Sequence, residues 1–133
     1  VKTFKWVLAA ATVVLIVFLT ATSPRKPPVY HYAPGSEVKV QGVVMNVKEF
    51  YCPVSDDQGM HLILRTVQGN VQVHLAPGRF LRSNGFRFES GEPVEVIGSR
   101  VEFQGETDLM ARQVVRAQET LTFRDPDGKP LWQ

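Results

Sequence analysis

Two hydrophobic patterns divide the chain. From Trp6 to Pro24, 19 residues pass without a charge, WVLAAATVVLIVFLTATSP, behind Lys2 and Lys5. A core-facing helix in a small domain needs a polar side, and this stretch has none, while its length is enough to span a bilayer. Residues 1–23 are therefore assigned as a transmembrane anchor or signal helix. The fit to a cleavage site is poor, because Ala21-Thr22-Ser23 would leave Pro24 after the cut and Leu19-Thr20-Ala21 offers a large Leu, which favours an uncleaved anchor. The rest of the chain is then expected outside the cytoplasm, on the periplasmic side in a Gram-negative cell, or secreted if the segment is removed. Residues 24–36 are rich in proline and lack apolar periodicity, which predicts an extended linker.

From Glu37 the pattern changes to short β runs separated by turn signals, defining a domain over residues 37–133. Val38 and Val40, then Val43, Met45 and Val47, alternate with polar residues and slip phase across Gly42. A bulge there would let a long first strand, ending near Phe50, bend around a barrel. After the loop CPVSDDQG, the runs MHLILRT and NVQVHLA predict a hairpin turning at Gln68-Gly69. Pairing Leu64 with Val73, Leu62 with Leu75 and Thr66 with Val71 puts Leu62, Leu64, Val71, Val73 and Leu75 on the inner face. His61, Ile63, Arg65, Gln72 and His74 are left outside, with His61 and His74 as diagonal neighbours.

Residues 76–85, APGRFLRSNG, predict a short helix entered through Pro77 and stopped by Asn84-Gly85. Pro93 to Phe103 predicts a fourth strand with a phase break at Gly98, and Asp108 to Arg116 a fifth. Phe80, Phe86 and Phe88 are placed to plug the bottom of the barrel, Trp132 to fold back with Leu131, and Asp125-Pro126-Asp127-Gly128 to form a turn.

Three strands, a short helix and two strands, with a bent glycine-containing first strand and the phrase FRFESGEPVEVIGS leading into the fourth, resemble the oligonucleotide/oligosaccharide-binding (OB) fold over residues 37 to about 117. The resemblance implies an all-β, five-stranded Greek-key barrel with one short helix between strands 3 and 4, and a ligand surface on strands 2 and 3. Exported bacterial proteins of this fold are similar in length and in carrying one barrel behind an export segment. The haem chaperone of cytochrome c maturation is similar in having a membrane anchor before one such barrel. Its His-x-x-x-Tyr haem site has no counterpart here, since Gly35, Arg65 and Gly78 stand four residues after His31, His61 and His74.

Charge and chemistry narrow the function. Setting aside Lys2 and Lys5 leaves 13 basic residues against 13 acidic ones, a balance that disfavours a surface built to neutralise phosphates. No catalytic constellation, phosphate loop or cysteine knuckle emerges, and Ser99 has no histidine partner in sequence, so no enzyme is expected. The ligand candidates are His61, Arg65, Gln72 and His74 on the hairpin face, with Tyr51 and its neighbour Phe50 as stacking residues. Arg79, Arg82 and Arg87 could add a basic rim. His61 and His74 are the metal candidates. Cys52, the only cysteine, is read as a shielded filler, the sharper alternatives being an intermolecular disulfide or a thiolate ligand. The expectation is a membrane-anchored, non-enzymatic binding or assembly module for a small molecule, glycan or protein. Periplasmic haem or metal handling and single-stranded nucleic-acid binding are the alternatives.

Overall fold

A computed structural model describes residues 30–133. The assigned membrane segment and the first half of the linker lie outside the described residues. After a single 3-10 turn at Pro34–Ser36, the chain forms β1 (Glu37–Cys52), β2 (Asp57–Thr66), β3 (Gly69–Pro77), α1 (Gly78–Ser83), β4 (Pro93–Phe103), β5 (Glu106–Arg116) and β6 (Glu119–Thr122). The strands follow the order β3-β2-β1-β4-β5-β6 with antiparallel neighbours, and β3 also pairs in parallel with β5 through Val73↔Leu109 and His74↔Met110. The first five strands thus form a ring of pairings.

Sixteen-residue β1 serves two partners, pairing over Glu37–Val43 with β4 and over Val43–Cys52 with β2. The bend expected at Gly42 falls three residues later, where the register shifts between Val44 and Asn46 and Met45 is left exposed. Gly42 instead permits a close approach of strands, since a Cβ there would meet the Arg65 carbonyl oxygen and the Leu64 side chain. The second phase break sits where expected, with a register shift between Ile97 and Gly98 and the Met110 carbonyl against the Gly98 backbone.

The β2–β3 hairpin differs from its expected register by two residues. Leu64 faces Val71, Leu62 faces Val73 and Thr66 faces Gly69, so the turn is Val67-Gln68, and Gly69 closes it with a positive φ of 114°. An even slip preserves the face of every side chain. Leu62, Leu64, Val73 and Leu75 are buried and Val71 packs partly against them.

The expected fifth strand is not the last. Residues read as a tail form β6 and contribute Leu121 and Phe123 to the core. Phe123 meets Phe80 and Phe86, and Trp132 folds back onto Phe80 with ring centroids 5.9 Å apart. Leu131, expected beside it, is exposed. Residues 125–128 form the expected turn, the Gly128 N–H donating to the Asp125 carbonyl.

Candidate metal centre

The histidines assigned to an open outer face are covered. His61 and His74 face each other across β2 and β3, opposite the face that carries Leu62 and Leu64, yet they are only 1% and 4% exposed. Three elements distant in sequence close over them. Phe50 stacks flat on His61, centroids 3.9 Å apart and planes 5° apart, and Phe103 meets the His74 ring edge at 4.8 Å. The end of β1 brings in Cys52, itself 1% exposed. The loop after it and Arg124 complete the wall of a cavity of about 10 Å³, lined also by Val54, Ser55 and Met60.

Cys52, His61 and His74 place one ligand atom each within 4.8 Å of one another. Gly59 keeps the approach tight: a Cβ there would lie 3.1 Å from both the Cys52 Cβ and the His61 Cε1. The His74 Nε2 lies 2.8 Å from the Asp108 Oδ2, and its Nδ1 lies 3.3 Å from the Cys52 Sγ. Asp108 is buried in β5 and reaches His74 through the parallel β3–β5 pairing. Gln72 donates its side-chain N–H to the same Asp108 oxygen at 3.0 Å.

Burial lowers the His74 imidazolium below its ordinary range, against an opposing pull from Asp108. The neutral ring therefore carries its proton on Nε2, donated to Asp108, and presents a bare Nδ1 lone pair to Cys52. Burial, with His74 as a lesser cause, pushes His61 down to about 4, against a smaller upward pull from the backbone of Gly59 and Lys48. Among the described residues neither His61 nitrogen has a well-formed hydrogen bond. Burial also raises the Cys52 thiol.

Cys52, His74 and Asp108 follow the order of nucleophile, base and orienting carboxylate. Their surroundings work against that use: the thiol is raised rather than lowered, and the cavity beside it is no larger than a water molecule requires. As ligands the same atoms are well disposed. One thiol and two neutral imidazoles converge, and a carboxylate fixes the outer nitrogen of one ring, the arrangement that orients metal-bound histidines.

The other candidates do not join the cluster as ligands. Tyr51 is exposed, and its hydroxyl donates to Asp56 Oδ1 at 2.6 Å, tying down the loop over the cavity. That hydrogen bond is the main cause of its raised pKa. Arg65 lies further along β2 and lines an open groove of about 640 Å³ with Thr66 and Val67. Arg79, Arg82 and Arg87 pair with Asp57, Glu49 and Glu89, so they do not form a free basic rim. On the hairpin face the histidines are thus enclosed, Gln72 supports Asp108 and Arg65 lines a separate groove.

Sequence reasoning does not bring Asp108 or Arg124 to the site, and it favours a filler role for Cys52. The available signals are the concentration of the only cysteine and two of three histidines within residues 52–74, and an aspartate opening the otherwise apolar run DLMA.

Fold and cluster together define a small all-β protein with a buried thiol–imidazole centre backed by a carboxylate. Residues 36–121 match the model of the MamS/MamX magnetosome protein family, more than half of the chain. The chain belongs to that family. No curated protein matches it.

Proposed function

We propose that this protein is a membrane-tethered, non-enzymatic module that holds one metal ion on Cys52, His61 and His74. The observation carrying this reading is His61, a neutral imidazole buried with no well-formed hydrogen bond at either nitrogen. A buried polar atom left without a partner costs about 1 to 3 kcal/mol, and a metal ion is the partner that a neighbouring thiol and second imidazole would share. The Asp108 contact supports it by preselecting the ligating tautomer of His74.

The ring of pairings through β3–β5 supports a closed five-stranded barrel of the OB type, with β6 appended. Membership of a magnetosome protein family fits a membrane-associated or assembly role, and the uncharged run from Trp6 to Pro24 supports a tether with the domain outside the cytoplasm. A cavity of about 10 Å³ favours a bare ion over haem, which would require the loop above the histidines to lift.

Elemental mass spectrometry on the full chain, purified in detergent under reducing conditions, tests the reading. Close to one metal ion per chain is expected, with loss in Cys52→Ser and in His61→Gln. A metal-free protein after reconstitution, or metal content in both variants equal to that of the wild-type chain, would overturn it.

A further inference from the structure

The charges enclosed with the cluster carry a choice of metal. Asp108 and Arg124 are the only buried side chains of formal charge among the described residues, and both belong to this site. Asp108 holds His74, and Arg124 lines the same cavity as the three ligands. Among the described residues Arg124 has no carboxylate partner. Its Nη1 donates to the Gly128 carbonyl at 2.9 Å, its guanidinium lies 4.9 Å from the Trp132 ring centre and 5.7 Å from that of Tyr32, and its buried Nε is unpaired. Burial lowers its pKa to about 10, so it stays a cation at neutral pH.

Resting on the metal-holding reading, we propose that the site is built for monovalent copper, Cu(I), and discriminates against divalent ions such as Zn(II). Three features lead there. The first is charge: with Cys52 bound as thiolate, the enclosed groups are one thiolate, one carboxylate and one guanidinium, so a monocation makes the set neutral and a dication leaves one positive charge in excess. Excess charge away from water is costly, and Arg124 repels a dication twice as strongly as a monocation at the same distance.

The second feature is coordination number. Cys52, His61 and His74 supply three donors. Zinc sites are almost always four-coordinate, filled by a water where the protein stops at three. A cavity of about 10 Å³ does not hold an ion and a water together, whereas Cu(I) is satisfied by three ligands. The third feature is softness, since a thiolate ligand suits Cu(I). No electron transfer is required: Cu(I) enters, the Cys52 thiol gives its proton to solvent, and one copper–sulfur and two copper–nitrogen bonds form.

The test is an anaerobic competition on the full chain in detergent, with Cu(I) set against Zn(II) in the presence of chromophoric chelators for each. Cu(I) is expected to bind one per chain and to displace Zn(II) completely, with no bound Zn(II) returning when zinc is in hundredfold excess. The margin must also exceed that of a Cys/His₂ peptide of the same ligands, measured in parallel, because soft ligands alone favour copper. Arg124→Met is expected to narrow the Cu(I)-to-Zn(II) ratio by about tenfold, and Arg124→Lys, which keeps the charge, to preserve it. The wild-type competition needs no variant, so a misfolded Arg124→Met leaves the proposal open to refutation. Equal or tighter Zn(II) binding would overturn this inference while leaving the metal-holding reading intact; binding of neither ion would overturn both.

Discussion

His61 shows how a residue can be placed correctly on a face and still be misjudged in its surroundings. Strand alternation puts it opposite Leu62, on the same face as His74, and the structure agrees. What alternation does not carry is the cover, because Phe50, Cys52, the following loop and Arg124 come from other parts of the chain. The cover has a measurable consequence. His61 has an ordinary pKa of 6.5 and about 4 in the folded protein, so between these values the unfolded chain binds a proton that the native state refuses. Stability of the metal-free protein is therefore full above about pH 6.5 and falls as pH drops toward about 4, by at most ~3 kcal/mol from this residue. The lowered His74 acts in the same direction. Urea denaturation at pH 7 and at pH 5 should show the loss, and His61→Gln should flatten it; an unchanged pH slope in that variant would assign the effect elsewhere. Cys52 is less legible still, since one cysteine among apolar neighbours reads the same whether it fills space or faces two imidazoles.

At the scale of elements, patterns with a period of two are the most informative. The fourth strand, Pro93–Phe103, has the bounds its alternation predicts, and the phase break at Gly98 marks a real register shift. Gly42 reads as a bulge, but its glycine serves the close approach of β1 to Leu64 and Arg65 while the bulge falls after Val44. Both roles leave a glycine in a strand, so the sequence signal is the same. The sixth strand escapes a pattern search because ETLT is short and polar apart from Leu121; its pairing with β5 and the burial of Phe123 after it are tertiary events. Core assignment can be tested directly. Leu64 is fully buried, and Leu64→Ala should lower stability by about 2 to 5 kcal/mol. Val67 is fully exposed at the turn, and Val67→Ser should change it by no more than about 0.5 kcal/mol. Equal shifts of the denaturation midpoint would contradict the assignment of faces.

For the whole molecule, the ring of strand pairings explains how residues at 52, 61, 74 and 108 come to share one site, while Arg124 arrives on the segment after β6. β1 and β2 bring Cys52 to His61, β2 and β3 bring His61 to His74, and the parallel closure of β3 on β5 brings His74 to Asp108. Among the described residues no helix is long and apolar enough to cross a membrane, so the proposed tether rests on the uncharged run from Trp6 to Pro24. A reporter enzyme active only after export, fused behind Gln133, should be active if the β domain lies outside the cytoplasm. Activity of a cytoplasmic reporter alone would refute that orientation. X-ray absorption at the metal edge of the reconstituted full chain reads the ligands of the bound ion without reference to function. One sulfur at about 2.3 Å and two imidazole nitrogens at about 2.0 Å are expected around the ion, with the sulfur lost in Cys52→Ser. A shell of oxygen and nitrogen alone, or one that Cys52→Ser leaves unchanged, would contradict that expectation.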